Sequence, residues 1–137
     1  PSDRHGVNLL PVLEDRSAPT RDFAVFGMFG QSVGITDGRR ILHQSPVAEN
    51  QPLHWYGYPL AKFIRYDLGP YSEGRRPVAG CNFRQPTWLS DKAEDPTEHR
   101  NLTGDQRGLL REMQDALVAT LDSLGAPAEQ RQRLGLG

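Results

Sequence analysis

Several features that would point directly to a function are scarce in this sequence of 137 residues. Its single cysteine excludes a disulfide bond within the chain. Its 16 basic and 17 acidic residues give a net charge of −1, so the strongly basic surface typical of nucleic-acid-binding proteins is missing. No apolar stretch approaches the roughly 20 residues of a membrane span. The composition therefore predicts a globular domain with no nucleic-acid partner and no membrane span.

Motifs for catalysis or metal binding are missing as well. There is no G-x-S-x-G, no glycine-rich phosphate loop and no G-x-G-x-x-G. Cys81 has Arg84 nearby but no histidine, so we interpret it as a buried or unreactive thiol. A zinc site needs closely spaced ligands, and no such pair occurs among His5, His43, His54 and His99. We therefore expect no catalytic residue and no metal site in this chain.

The clearest structural pattern is a group of short strands. Alternating apolar residues predict strands over 23–29 and 32–36, and Asp37-Gly38 predicts a type I′ hairpin leading to a strand over 39–45. A last strand is expected over 87–91. Because both faces of 23–29 are apolar, we expect that strand to be central in the sheet or covered on both sides.

A C-terminal helix is predicted over 104–124. Thr103 and Gln106 have the spacing of a capping box, and Gly125 suits the position just beyond a helix end. Pro127 fits the start of a second, short helix over 128–134. The apolar stripe of the long helix should pack on the sheet through Leu110, Met113, Leu117, Leu121 and Leu124. The predicted fold class is α+β, a small antiparallel sheet of about four strands with a C-terminal helix packed on one face.

Residues 46–86 form a long loop without sustained periodicity, and they are rich in aromatic residues, proline and glycine. Such a loop is usually functional or covers another surface. Aromatic faces suit a sugar ring or an aryl group, and an imidazole can donate to an anionic oxygen. The candidate substrate-binding residues are therefore His54, Trp55, Tyr56 and Tyr58. The alternative is that these aromatic residues pack the loop onto a second domain.

Two charged segments have weaker functional interpretations. Arg75-Arg76 could bind an anion such as sulfate or phosphate, but we interpret the pair as part of a solvated loop. The acidic stretch 91–98 offers oxygen ligands, but its spacing does not match a twelve-residue calcium loop and it lacks that loop's glycine. We interpret it as a solvated turn.

Four segments, in the same order along the chain, resemble the C-terminal subdomain of a bacterial sulfatase. Such sulfatases are arylsulfatase-like enzymes of the alkaline-phosphatase superfamily. The four segments are DRHGVNLLPVL (3–13), RDFAVFGMFGQSVGITDGRRILHQSP (21–46), ENQPLHWYGYPL (49–60) and LSDKAEDPTEHRNLTGD (89–105). Their family counterparts read D-G-x-S-L-L-P-L-L, R-D-x-A-x-F-G-x-F-G-x-x-x-x-x-T-D-G-R-Y, E-N-x-P-L-Y-x-Y-T-L-M-P and L-Y-D-L-x-x-D-P-x-E-x-x-N-L. Ser90-Asp91-Lys92 departs from the usual Tyr-Asp-Leu, and a family histidine near residues 57–60 has no match here.

The resemblance implies an accessory subdomain of an enzyme that cleaves sulfate esters with calcium or magnesium. Such enzymes carry their metal ligands in an N-terminal catalytic domain and convert the Cys or Ser of a C/S-x-P/A-x-R motif to formylglycine. Cys81 is not followed by that pattern. The chain also begins at Pro1 without a methionine or a signal-peptide pattern, and we expect it to be a fragment that is inactive alone.

The implied partners are the parent's own catalytic domain and its sulfate ester substrate, in a bacterial cytoplasm or periplasm. Residues 1–22 would form an N-terminal arm and 23–137 the subdomain. Detached from the parent, the apolar arm and the loop 46–86 should either self-associate or be disordered. Two alternatives stay open: the tail of a related phosphonate or phosphodiester hydrolase, and a free-standing carbohydrate-binding module.

Overall fold

The computed structural model describes residues 8–17, 20–28, 30–55, 76–77 and 85–137, and of residues 54–55 and 76–77 it describes the backbone. The elements, in chain order, are α1 (Leu10–Glu14), β1 (Ala24–Gly27), β2 (Val33–Thr36), β3 (Arg40–Gln44), β4 (His54–Trp55), β5 (Arg76–Pro77), β6 (Trp88–Asp91), α2 (Arg107–Ser123) and α3 (Ala128–Arg133). The predicted α+β class with a four-stranded antiparallel sheet and a C-terminal helix is confirmed.

The main sheet has the strand order β1-β2-β3-β6, with every neighbouring pair antiparallel. Strand register aligns one apolar residue from each strand in a row across the sheet. That row consists of Val25, Ile35, Leu42 and Leu89. Because side chains alternate between the faces of a strand, these four share one face, and that face carries the core.

The core forms where α2 packs on this face. Met113, Leu117 and Leu121 are buried against the row, together with Leu102 and Leu134. The predicted stripe is confirmed for its three central members. Leu110 packs at the margin of the cluster, and Leu124 is half-buried at the C-cap of α2. The 3–4-residue spacing thus places one face of α2 on the sheet.

Strand β1 corrects one expectation, because it is an edge strand and one of its faces is open. Phe26 is 43% exposed and Met28 is 69% exposed. The apolar outer side chain has a local explanation: the Phe26 ring lies across Gly34, where a Cβ would collide with it, and meets His43 edge-on at 5.4 Å. Phe29, the last residue of the predicted strand, lies outside the described residues.

The β2–β3 turn also differs from the prediction. A type I′ turn needs positive φ at both central residues, but Gly38 has φ +94° while Asp37 is not in the left-handed region. Asp37 acts through its carboxylate instead: Oδ1 accepts from the backbone N–H groups of Arg39 and Arg40, at 3.0 and 2.6 Å. An aspartate that bonds the neighbouring backbone in this way stabilises the turn without itself adopting positive φ.

Helix α2 begins later than predicted, and the capping box is wrong. Its N-cap is Gln106, and no side chain caps the helix. The Thr103 N–H donates to Asn101 Oδ1 at 3.1 Å, because Asn101 organises a turn before the helix. The helix end agrees with the sequence: Gly125 has φ +67°, and it and Ala126 donate to the carbonyls of Asp122 and Leu121.

Helix α1 is a single short turn with Pro11 near its start, as proline allows. Its leucines are largely exposed, and Leu13 reaches 80%. In the part of the chain that the structure describes, no helix combines the length and apolarity needed to cross a membrane.

Candidate functional site

The candidate substrate-binding segment begins in a small ladder of its own. Strands β4 and β5 pair antiparallel, with His54 opposite Pro77 and Trp55 opposite Arg76. The ladder therefore brings two of the aromatic-segment positions beside one member of the Arg75-Arg76 pair, twenty residues further along the chain. Tyr56, Tyr58 and Arg75 lie outside the described residues. The loop 46–86 thus contains local pairing that its lack of periodicity did not indicate.

The approach to β4 is fixed by a buried asparagine. Asn50 is 3% exposed and has φ +49°, a left-handed conformation that asparagine tolerates better than most residues. Its Nδ2 donates to the Gly30 carbonyl at 2.7 Å, and its Oδ1 accepts from Arg133 Nη1 at 3.0 Å. The Asn50 side chain therefore joins the loop before β2, the segment leading to β4, and helix α3.

Arg133 completes this joint from α3. Besides Asn50, its Nη1 donates to the Gln31 carbonyl at 2.9 Å, and its Nε donates to Gln130 Oε1 at 3.1 Å. The side chain is almost fully buried, and this desolvation lowers the pKa of the guanidinium from its ordinary value. The Arg133 carbonyl also accepts from the Val47 N–H at 2.7 Å. Helix α3 thus holds both ends of the turn 47–50.

The residues between Asn50 and β4 continue the anchoring. The Gln51–Pro52 bond is cis, and Gln51 Oε1 accepts from the Leu53 N–H at 2.9 Å. Leu53 is buried and packs closely on Gly30: a Cβ added to Gly30 would lie only 3.2 Å from Leu53 Cδ2. The backbone of His54 and Trp55 therefore follows a buried segment that is held by the loop before β2 and by α3.

The acidic stretch 91–98 is a turn whose carboxylates bind protein groups. Both oxygens of Asp91 accept from Arg39 Nε at 2.9 Å, and this contact holds the pKa of Asp91 below its usual value. Asp95 accepts from the Arg100 backbone N–H at 2.8 Å, which lowers the pKa of Asp95. Beside them lies a cavity of about 350 Å³ that Asp91, Glu94, Asp95, Arg100, Leu102 and Gln106 line.

The remainder of this turn covers the outer edge of β6. Asn101 Oδ1 accepts from the Leu89 N–H at 3.2 Å, and its Nδ2 donates to the Thr87 carbonyl at 3.0 Å. The Leu102 N–H donates to the Leu89 carbonyl at 2.8 Å. Glu98, with φ +56°, accepts from Ser90 Oγ at 3.0 Å. The hydrogen bonds of Asn101 and Leu102 to Leu89 and Thr87 therefore close this sheet edge.

Two of the other candidate histidines lie in the described part of the chain. His43 lies on the main sheet against Phe26, and His99 is exposed in the turn before α2. Cys81 and His5 lie outside the described residues. Among the residues that are described, no group of three or more His, Cys, Asp or Glu side chains could hold a metal ion.

Sequence reasoning missed the Asn50–Arg133 joint. Arg133 belongs to the polar run Ala128–Arg133, which shows no apolar face that would indicate burial.

A search against family models, curated proteins and solved structures found no match to this chain.

Proposed function

We propose that this chain is the C-terminal accessory subdomain of a sulfatase-type hydrolase, and that it caps the parent's catalytic domain beside the substrate entrance. The observation that carries the proposal is the ordered set of four segments resembling that family. In this proposal, hydrolysis of the sulfate ester belongs to the parent, as do its nucleophile and its calcium or magnesium.

The positions of the motif residues support the proposal. The segment resembling E-N-x-P-L supplies Asn50 and Leu53, which are buried at the base of β4. The segment resembling D-P-x-E-x-x-N-L supplies Asn101 and Leu102, which bond the edge of β6. These residues hold the fold together through buried contacts and backbone hydrogen bonds. The resemblance therefore concerns the structural scaffold of the family rather than its catalytic centre.

The β4–β5 ladder supports a substrate-facing role for residues 54–58. A sulfate ester has an anionic group and an organic ring or chain, so its site needs a cation and an apolar or aromatic surface. The register of Trp55 opposite Arg76 puts residues of both kinds in one ladder. His54, Trp55, Tyr56 and Tyr58 are the residues we assign to the substrate entrance.

The test is to express the whole coding sequence that contains this chain and assay it with aryl sulfates, phosphonates and phosphodiesters in the presence of calcium or magnesium. We expect a C/S-x-P/A-x-R motif upstream and turnover of sulfate esters. Preferential turnover of a phosphonate or phosphodiester would assign the chain to the related hydrolases. A coding sequence without any hydrolase domain, combined with sugar binding by the chain alone, would favour the carbohydrate-binding module.

A further inference from the structure

The two edges of the main sheet are treated differently. At β6, the outward N–H and C=O of Leu89 are both bonded, to Asn101 Oδ1 and to the Leu102 N–H. At β1, none of the described residues bonds the outward backbone groups. An edge strand with free N–H and C=O groups is a template for another strand. Within the described part of the chain, the sheet therefore has one closed edge, at β6, and one open edge, at β1.

The hydrogen-bond pattern identifies which β1 groups are open. The Asp37 N–H donates to the Arg40 carbonyl, so residues 33 and 35 of β2 bond β3 and residues 34 and 36 bond β1. Ala24 and Phe26 consequently face β2. Val25 and Gly27 direct their backbone N–H and C=O groups away from the sheet.

The open edge also lacks two common sequence features that oppose pairing, a charged residue and a proline. Residues 23–28 read Phe-Ala-Val-Phe-Gly-Met, with no charge and no proline. Natural proteins commonly place lysine or proline on exposed edges. Phe26 and Met28 are exposed on the outer face, and the net charge of −1 gives little repulsion between copies.

We propose that β1 is a self-association edge, at which two copies of this chain pair antiparallel about a twofold axis through Phe26. In this register Val25 of each copy exchanges both backbone hydrogen bonds with Gly27 of the other. It is the arrangement that uses both outward-facing residues of the strand. Phe26 then lies opposite Phe26 of the second copy, and Met28 lies opposite Ala24. Because β6 is closed, the pairing ends at two copies and joins two four-stranded sheets into one of eight strands.

A charge-reversal pair tests the register in solution. The double variant Ala24→Lys, Met28→Lys puts lysine opposite lysine across the interface, whereas Ala24→Glu, Met28→Lys puts glutamate opposite lysine. Sedimentation equilibrium of the unmodified chain should show a species of twice the 15.3 kDa chain mass as concentration rises. We expect the first variant to dimerise roughly tenfold more weakly and the second to dimerise about as well as the unmodified chain. Circular dichroism and Tm check that both variants fold alike.

Disulfide trapping provides the second test, in a Cys81→Ser background. Phe26→Cys should form a dimer on mild oxidation, because directly opposed residues in a non-hydrogen-bonded pair have Cα atoms roughly 4.5 Å apart, within disulfide range. Met28→Cys is the matched control. Its two copies would lie roughly 13 Å apart, four residues along the strand, and should not cross-link.

Three results would overturn the proposal. The first is a chain that stays monomeric up to millimolar concentration. The second is equal association of the two charge variants when both are folded. The third is cross-linking through Met28→Cys as fast as through Phe26→Cys, which would place the contact elsewhere.

Discussion

Arg133 donates to the side-chain oxygen of Asn50 across 3.0 Å, although 83 residues separate them in the chain. The contact is buried and connects the last helix to the segment that leads into β4. Helix α3 therefore helps to hold the segment that precedes the candidate substrate-binding residues. A substitution that breaks the Asn50–Arg133 contact should therefore both lower the stability of the fold and alter the position of β4.

The first prediction separates the two tasks of Asn50. Asn50→Gly keeps the left-handed backbone but removes the bonds to Gly30 and Arg133, and should cost about 1–3 kcal/mol in the free energy of unfolding. Asn50→Ala loses the same bonds and adds backbone strain of about 1 kcal/mol at φ +49°. Urea unfolding of both variants measures the difference. Equal stability of the alanine variant and the unmodified chain would contradict the buried joint.

The second prediction concerns the core. Leu117→Ala should lower the free energy of unfolding by roughly 2–5 kcal/mol, because Leu117 is fully buried between α2 and the sheet. Leu13→Ala is the matched control, since Leu13 is 80% exposed, and it should change stability by less than about 0.5 kcal/mol. Similar losses in the two variants would contradict the packing described.

The third prediction concerns acid sensitivity. Arg39 donates to Asp91, and the pKa of Asp91 in the folded chain lies below the ordinary 3.8. Because the folded-state pKa is depressed, the ionised carboxylate stabilises the fold above about pH 3.8, and this stabilisation is lost as the pH falls through the lower folded value.

The urea midpoint of Asp91→Asn should therefore fall below that of the unmodified chain near neutral pH, and the two should converge in acid. Asp115→Asn, at an exposed position on α2, is the control. A gap between Asp91→Asn and the unmodified chain that stays constant from neutral pH into acid would exclude the linkage.

The fourth prediction follows from the proposed function. The 137-residue chain alone should not hydrolyse an aryl sulfate, with or without added calcium, because its sequence has no formylglycine motif and we expect its catalytic centre to lie in the parent. Release of the aryl product is measured against a blank without protein. Turnover that survives repurification and exceeds that blank would contradict the assignment as an accessory subdomain.

The fifth prediction tests the candidate substrate-binding residues in the full-length parent. His54→Ala and Trp55→Ala should each lower kcat/KM for sulfate esters by roughly five- to tenfold, the effect of losing an aromatic or polar contact to the transition state. His99→Ala, at an exposed histidine, is the matched control. If kcat/KM stays within twofold while the variants keep their stability, the segment only seals an interface.

The four strands of the main sheet and the core face of α2 were predictable, because alternation and 3–4-residue spacing are local signals and both patterns meet in one buried row. The capping box was not, because Asn101 competes for the Thr103 N–H from outside the helix. The edge position of β1 was also missed: an apolar strand does not reveal that Phe26 can rest on a neighbouring glycine.

The candidate site was less accessible to sequence reasoning than the fold. The pairing of β4 with β5 joins segments twenty residues apart without periodicity. The Asn50–Arg133 joint depends on two polar residues whose burial no local pattern signals. The resemblance to sulfatases included Asn50 as a position of one motif, but it gave no physical role for that residue.

The Phe26 ring occupies the space that a side chain at position 34 would need. The two positions are cross-strand partners, so the space open to a side chain at one depends on the size of the residue at the other. Homologues with alanine or a larger residue at position 34 should carry a smaller residue at position 26. A family alignment should thus show covariation between two positions that are eight residues apart, and drift at one should follow drift at the other.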